Sequence, residues 1–146
     1  MKHIFDTENQ ELAYSLAKRA HGNQLYGVHS YVDYHVMGVV NIVKDLGFKD
    51  DFITVALLHD VIEDTSINAN ELFKLFDSHI IEAVELLTKY KELPNYNYDQ
   101  YLKNIKQNQL AKIVKIADAT FNMNENIRNK GKRVNFYANV LCTLTA

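Results

Sequence analysis

Apolar residues recur every three or four positions along most of this chain, the spacing that places side chains on one face of an α-helix. The stripe over 110–121 is a clear example. The spacing and the turn residues predict helices over about 7–22, 33–46, 50–64, 70–76, 78–87, 98–105, 110–121 and 132–144. No segment alternates strictly enough to predict a strand. We therefore expect an all-α fold in a single domain over residues 1–146.

The segment 22–31 interrupts this pattern. It contains two glycines and several polar residues, so we predict a loop there. Its aromatic residues Tyr26, His29 and Tyr31 either line a ligand pocket or cover the edge of the core. Further along, Ser78 is predicted to cap the helix that it precedes.

The run Ile53–Asp64 places ionisable groups on an otherwise apolar helix. Positions three and four apart share a helix face, so His59 faces inward, and Asp60 and Glu63 lie on one side together. A buried charge without a partner is so costly that such groups are paired, coordinated or neutralised. The run indicates either a metal site or a buried histidine satisfied by protein groups, with Asp64 capping the next segment.

Two more polar residues lie on apolar stripes. His35 precedes Val39 by four positions, and Asp118 follows Val114 by four. A lone inward histidine is usually a core residue bonded to the backbone, but a second one in a small domain favours a shared site. We therefore predict that four residues from three helices meet at one metal ion: His35, His59, Asp60 and Asp118.

Two imidazoles and two carboxylates suit Mn²⁺, Fe²⁺ or Zn²⁺, and the carboxylates favour Mn²⁺ among these divalent ions. Such an ion can polarise a phosphoryl group and acidify water. Glu63 and Asp64 follow one turn later, near enough to orient or deprotonate the attacking water. The sequence offers no rival chemistry, since it contains no Gly-rich phosphate loop, no His-Glu-x-x-His motif and no cysteine pair.

Composition limits the partners. The net charge is −2, from 16 basic and 18 acidic residues, which gives no general attraction to nucleic acid or anionic membranes. The single cysteine, Cys142, suits a reducing compartment, and no signal or membrane-spanning segment is apparent, so we expect a cytoplasmic protein. The basic segment Arg128–Arg133 is either a solvated turn or a rim that faces phosphate. The sequence does not predict an oligomeric state.

These residues resemble the HD-domain phosphohydrolases, and most closely the hydrolase domain of the RelA/SpoT-type alarmone enzymes and their small stand-alone relatives. The resemblance lies in Ala56–Thr65 and Val114–Asp118, with Asn122 four positions further on. Ala20-His21 with Gln24 also fits the pattern. The likeness covers about 12–123, and the His-Asp-x-x-Glu-Asp-Thr motif makes it fairly specific.

The resemblance implies an HD-type helical bundle that removes the 3′-pyrophosphate from guanosine tetra- or pentaphosphate (ppGpp or pppGpp) with Mn²⁺. In that family the residues matching His35, His59, Asp60 and Asp118 hold the metal. Those matching Glu63 and Asp64 serve the attacking water, and the one matching Asn122 contacts the nucleotide.

Two positions depart from the family pattern, since Tyr26 and Ala119 stand where the family often has basic residues. Tyr26 can still stack on a base, so we predict that it contacts substrate, but it supplies no charge. The alternatives to an alarmone hydrolase are an HD hydrolase acting on another nucleotide, such as a nucleotidase, and a non-catalytic module that binds a nucleotide or a protein.

Overall fold

Helices dominate residues 3–146, the part of the chain that the computed structural model describes. They are α1 (Glu8–His21), α2 (Met37–Asp45), α3 (Asp51–Leu58), α4 (Val61–Asp64), α5 (Ala69–Phe73), α6 (Ser78–Leu87), α7 (Tyr98–Lys106), α8 (Gln109–Arg128) and α9 (Val134–Thr145). The all-α prediction is confirmed. The predicted domain range of 1–146 includes two residues outside those described and stays a prediction. Within residues 3–146, no helix has the length and apolar character needed to cross a bilayer.

Helix α8 is central to the packing, because it contacts α2, α3, α6, α7 and α9. The Asn108 side chain caps it by accepting a hydrogen bond from the Ala111 backbone N–H at 3.0 Å. Val114 and Ala117 are fully buried on its inner face. Asp118 is also buried there, so the core that fixes α8 also fixes a carboxylate in the interior.

The segment predicted as a loop over 22–31 contains a small antiparallel hairpin, so the expectation of no strand is wrong at this place. Its strands are β1 (Leu25–Tyr26) and β2 (His29–Ser30), with Tyr26 opposite His29. Gly27 begins the two-residue turn with a φ of 60°, a conformation that glycine adopts without steric cost. The hairpin carries Tyr26 to the side of α8.

A π-helical turn over Tyr31–Val36 leads into α2, so helical structure begins two residues before the predicted start at Asp33. The wider turn places Tyr31 and His35 in contact, with ring centroids 5.1 Å apart. His35 is buried at 2% exposure. Such π-helical turns are rare and are often found at functional sites.

The run 53–64 was predicted as one helix, and this prediction is wrong, because the helix breaks at His59-Asp60. The imidazole Nδ1 of His59 lies 2.6 Å from the Ala56 carbonyl oxygen. The side chain therefore occupies the carbonyl that the backbone N–H of Asp60 would use in a continuous helix. Asp60 adopts φ −110° and ψ 3°, in the sparsely populated bridge region.

The predicted cap at Ser78 is also wrong. Asp77 occupies the N-cap position of α6 without a side-chain hydrogen bond, and Ser78 is the first helical residue. At the start of α1, Thr7 is the N-cap residue, and its side chain accepts a hydrogen bond from the Gln10 backbone N–H at 3.1 Å.

Candidate metal centre

The four predicted ligands come together in the structure. One donor atom from each of His35, His59, Asp60 and Asp118 lies within 4.8 Å of the others. Asp118 Oδ1 is 3.1 Å from His35 Nε2 and 3.4 Å from His59 Nε2. Asp60 Oδ2 is 3.0 Å from His59 Nε2 and 3.7 Å from His35 Nε2. The π-helical turn, the helix break and α8 each supply part of the cluster.

The hydrogen bonding of His59 fits a metal ligand. Its Nδ1 donates to the Ala56 carbonyl, so Nε2 is the nitrogen that faces the two carboxylates. That buried Nε2 lies 3.0 Å from Asp60 Oδ2 but makes no well-directed hydrogen bond among residues 3–146. A divalent ion would satisfy this nitrogen, together with the His35 nitrogen and the two carboxylates around it. The donor set therefore fits a divalent ion.

The carboxylates of the cluster are held in the ionised form. Burial opposes the charge of Asp118, but Lys115 and the two histidines outweigh it and lower its pKa well below the usual value. The pKa of Asp60 is lowered for similar reasons, with His59 as the main opposing partner to burial. Burial alone would lower the pKa of His59, but the negative charges of Asp60 and Asp118 outweigh burial and raise the pKa well above its ordinary value. The site thus attracts positive charge.

Three neighbours hold the carboxylates in place. Lys115 Nζ lies 3.2 Å from Asp118 Oδ2, and Asn122 Nδ2 lies 3.4 Å from Asp118 Oδ1. The hydroxyl of Tyr31 donates to Asp60 Oδ2. Lys115 was not among the residues predicted for the site, although its position three residues before Asp118 on one helix indicates a shared face.

Glu63 faces the site, whereas Asp64 lies at its edge. Glu63 Oε1 accepts a hydrogen bond from the Lys89 backbone N–H at 2.8 Å, and the Lys89 ammonium lies 3.8 Å from Oε2. Burial raises the pKa of Glu63, against the opposing charge of Lys89. Asp64 is exposed and accepts a hydrogen bond from Gln24 Nε2 at 3.3 Å. No sequence signal pointed to Lys89, because it follows a different helix.

The two predicted substrate contacts, Tyr26 and Asn122, lie beside the ligands and contact each other. The Tyr26 hydroxyl donates to Asn122 Oδ1 at 2.7 Å. The Tyr26 ring stacks on His35 at a centroid distance of 5.0 Å and an angle of 4°. Burial and nearby Glu125 raise the pKa of Tyr26 above its ordinary range, so the hydroxyl keeps its proton.

A cavity of about 250 Å³ opens onto the ligands. A second cavity of about 320 Å³ also contains Lys91 and Arg133, and it shares five lining residues with the first: Lys89, Lys115, Asp118, Asn122 and Tyr137. The cleft thus runs from an acidic, ligand-bearing end to a basic and aromatic end.

The basic segment 128–133 reaches this cleft only at Arg133, whose guanidinium lies 4.0 Å from the centre of the Phe136 ring. Arg128 pairs with Glu125 and lines a different cavity. The segment 128–133 therefore forms part of the cleft rim at one residue and not along its whole length. Ala119, which lies outside this segment, is buried in the core at 1% exposure.

Comparison with known proteins adds the family. A family model described as HD domain matches residues 13–128. The chain is 34% identical over 119 residues to a protein of Brucella ovis named GTP pyrophosphokinase rsh, covering 76% of this chain and 16% of that protein. It is 28% identical over 121 residues to a guanosine-3′,5′-bis(diphosphate) 3′-pyrophosphohydrolase of Aquifex aeolicus, covering 80% and 17%.

It is also 29% identical over 119 residues to the bifunctional (p)ppGpp synthase/hydrolase SpoT of Escherichia coli, covering 76% of this chain and 17% of that protein. The chain thus spans about a sixth of the length of these curated relatives. A solved structure of a metazoan ortholog of SpoT, described as hydrolysing ppGpp, superposes with a TM-score of 0.80. It is 23% identical and covers 97% of this chain and 86% of its own, which supports the fold.

Proposed function

This chain belongs to the HD domain family, and we propose that it is a divalent-metal-dependent phosphohydrolase that removes pyrophosphate from the 3′ position of a guanosine 3′,5′-bis(diphosphate). The convergence of two imidazoles and two carboxylates within 4.8 Å carries the proposal. The names of the Aquifex and Escherichia relatives support the choice of substrate.

His35, His59, Asp60 and Asp118 would hold the ion, and their two carboxylates favour Mn²⁺ over softer divalent ions. When bound, a divalent ion supplies Lewis acidity toward a phosphoryl oxygen and lowers the pKa of water. Tyr31 and Lys115 keep the two carboxylates oriented by hydrogen bonds to Asp60 Oδ2 and Asp118 Oδ2.

Glu63 is the proposed general base, and its Oε2 would take the proton from the water that attacks phosphorus. Its position in the cavity and its raised pKa support this role. The hydrogen bond from the Lys89 backbone fixes Oε1, so Oε2, 3.8 Å from the Lys89 ammonium, is the oxygen without a hydrogen bond from the described residues. Asp64 is proposed to help orient the attacking water, and Gln24 holds it at the edge of the site.

The basic end of the cleft would bind the phosphates that are not cleaved. Lys89, Lys91 and Arg133 supply positive charge there, and Lys115 stands between the two cavities. The exposed ring of Phe136 and the half-buried ring of Tyr137 offer apolar surface for a nucleoside. A substrate with phosphate groups at both ends would use both parts of the cleft.

One observation favours a second substrate class. Tyr26 supplies no charge beside the clustered residues, where the resemblance leads one to expect a basic residue, and Ala119 at the second such position is uncharged and buried in the core. A nucleotide with fewer phosphates would need less positive charge at this position. Nucleotide hydrolysis without preference for the alarmone is therefore the alternative activity, and nucleotide or protein binding without turnover is the non-catalytic alternative.

A hydrolysis panel tests the proposal. The purified chain, loaded with one equivalent of Mn²⁺, is incubated with the guanosine bis(diphosphate), GTP, GDP and a nucleoside monophosphate, and released pyrophosphate and phosphate are measured. We expect pyrophosphate release from the first substrate and its loss in Asp60→Asn. Release of phosphate from all nucleotides at similar rates would favour the alternative substrate class. No turnover of any nucleotide by the Mn²⁺-loaded chain would contradict the hydrolase proposal.

A further inference from the structure

Tyr26 and Asn122 were expected to contact substrate directly, but their hydrogen bonds indicate another role. Tyr26 lies on the hairpin and Asn122 on α8, 96 positions away along the chain. Two neighbouring rings fix the Tyr26 ring, because it stacks on His35 and makes a T-shaped contact with Phe121 at a centroid distance of 5.5 Å. Its hydroxyl is therefore held at one point against α8.

The contacts of Asn122 determine which way its amide group faces. Its Oδ1 accepts the hydroxyl hydrogen of Tyr26 at 2.7 Å, and its Nδ2 faces Asp118 Oδ1 at 3.4 Å. The reversed amide would place its oxygen against the Asp118 carboxylate, and two acceptors would then repel each other. The Asn122 backbone is also fixed, because its carbonyl accepts a hydrogen bond from Asn126 Nδ2 at 2.9 Å.

The oxygen that Asn122 approaches is the one that faces both imidazoles. Asp118 Oδ1 lies 3.1 Å from His35 Nε2, while Asp118 Oδ2 faces Lys115. We infer that Tyr26 is a positioning residue for the metal centre: it orients the Asn122 amide, which in turn holds Asp118 Oδ1 toward the ion. This inference rests on the proposed function, because it requires the metal site.

Tyr26 and Asn122 would then contribute to metal binding more than to specificity. One acceptor site of the Asn122 oxygen and one hydrogen of its nitrogen are already engaged within the protein, so only the remaining sites are open to substrate. Loss of the Tyr26 hydroxyl should then weaken ion binding and kcat, with little change in KM. A direct substrate contact would show the opposite pattern.

The test compares Tyr26→Phe, Asn122→Ala and the double variant by calorimetric titration with Mn²⁺ in the absence of substrate. Tyr26→Phe keeps the stacked ring and removes only the hydroxyl. We expect its Kd for Mn²⁺ to rise about fivefold, as for one neutral hydrogen bond, and that of Asn122→Ala about 10- to 100-fold, as for outer-shell partners of a metal ligand. The double variant should match Asn122→Ala, because the two groups act in series.

Tyr14→Phe is the matched control, since its hydroxyl donates to Asp33 at 2.6 Å on the outer surface. It should leave the Kd for Mn²⁺ unchanged. Equal Kd values for wild type and Tyr26→Phe, or a rise in KM alone, would overturn the positioning role while leaving the metal site intact. Additive effects in the double variant would also overturn it. A wild-type chain that binds no Mn²⁺ would instead contradict the proposed function itself.

Discussion

Two lysines line the cavity at the candidate metal site, and within residues 3–146 only Lys115 contacts a predicted metal ligand. The effect of its removal on the free energy of unfolding can therefore be calculated. Its ammonium lies 3.2 Å from Asp118 Oδ2, and both side chains are about nine-tenths buried. At an effective dielectric constant of about 20, charges at that distance attract each other by about 5 kcal/mol. Removing one partner of a buried pair usually costs about 3 to 5 kcal/mol.

We therefore expect Lys115→Met to lower the free energy of unfolding of the metal-free protein by at most about 3 to 5 kcal/mol, because His35 and His59 still face Asp118 in the variant. Methionine keeps most of the aliphatic stem, so the loss reports the charge and not the packing. Excess Mn²⁺ should recover part of the loss, because the ion supplies another positive charge beside Asp118, and a ligand that binds only the folded state stabilises it.

Urea unfolding with and without Mn²⁺ measures both effects. Lys112→Met is the control, because Lys112 lies on the same helix and forms no ion pair within the described part of the chain. It should change the unfolding free energy by less than about 0.5 kcal/mol. If Lys115→Met were as stable as the control without metal, the ion pair would not be holding Asp118, and the electrostatic account of the site would be refuted.

Three further predictions address the chemistry and the packing. Asp60→Asn should lose bound metal and activity together. Glu63→Gln should keep the metal and lower turnover by about 10²- to 10⁴-fold, which corresponds to about 3 to 5 kcal/mol of barrier. Loss of metal in Glu63→Gln would make Glu63 a ligand. Burial raises the pKa of Glu63 above 4.5, and a general base must be ionised to accept a proton. We therefore expect kcat/KM to fall as the pH drops through that raised pKa. A pH profile that is unchanged in Glu63→Gln would exclude Glu63 as the base. Gly38→Ala should destabilise the fold by about 1 to 3 kcal/mol, because a Cβ there would lie 2.2 Å from the Phe121 ring. In urea unfolding, the additional substitution Phe121→Leu should relieve this cost. A Gly38→Ala protein as stable as wild type would contradict the close packing.

Helical periodicity predicted much of this fold and which polar residues face inward to form the candidate metal site. His35 and Asp118 were found because each polar side chain interrupts an apolar stripe, and both are buried in the structure. This pattern depends only on spacing along one helix, so the prediction that a residue faces inward stays correct even where the predicted helix ends are wrong. It could not show that the four donors share one point, which depends on how α2, α3 and α8 pack.

Features that depend on contacts between distant segments escaped the sequence. The helix break at Asp60 arises from a side chain competing for the Ala56 carbonyl, which periodicity does not encode. The hairpin holds Tyr26 against α8 through a hydrogen bond to Asn122, 96 positions away. The basic segment 128–133 was left open between a solvated turn and a rim facing phosphate, and Arg128 turns toward Glu125 because a buried carboxylate lies one turn before it.

Metal binding by the intact chain tests the central claim most directly. Equilibrium dialysis against Mn²⁺, followed by metal analysis, would be carried out on wild type and His35→Gln. We expect one ion per wild-type chain and at least a tenfold weaker affinity in His35→Gln, because an amide replaces an imidazole donor that lies 3.1 Å from Asp118. A wild-type chain without bound ion, or equal affinity in the two proteins, would contradict a metal centre at these four residues.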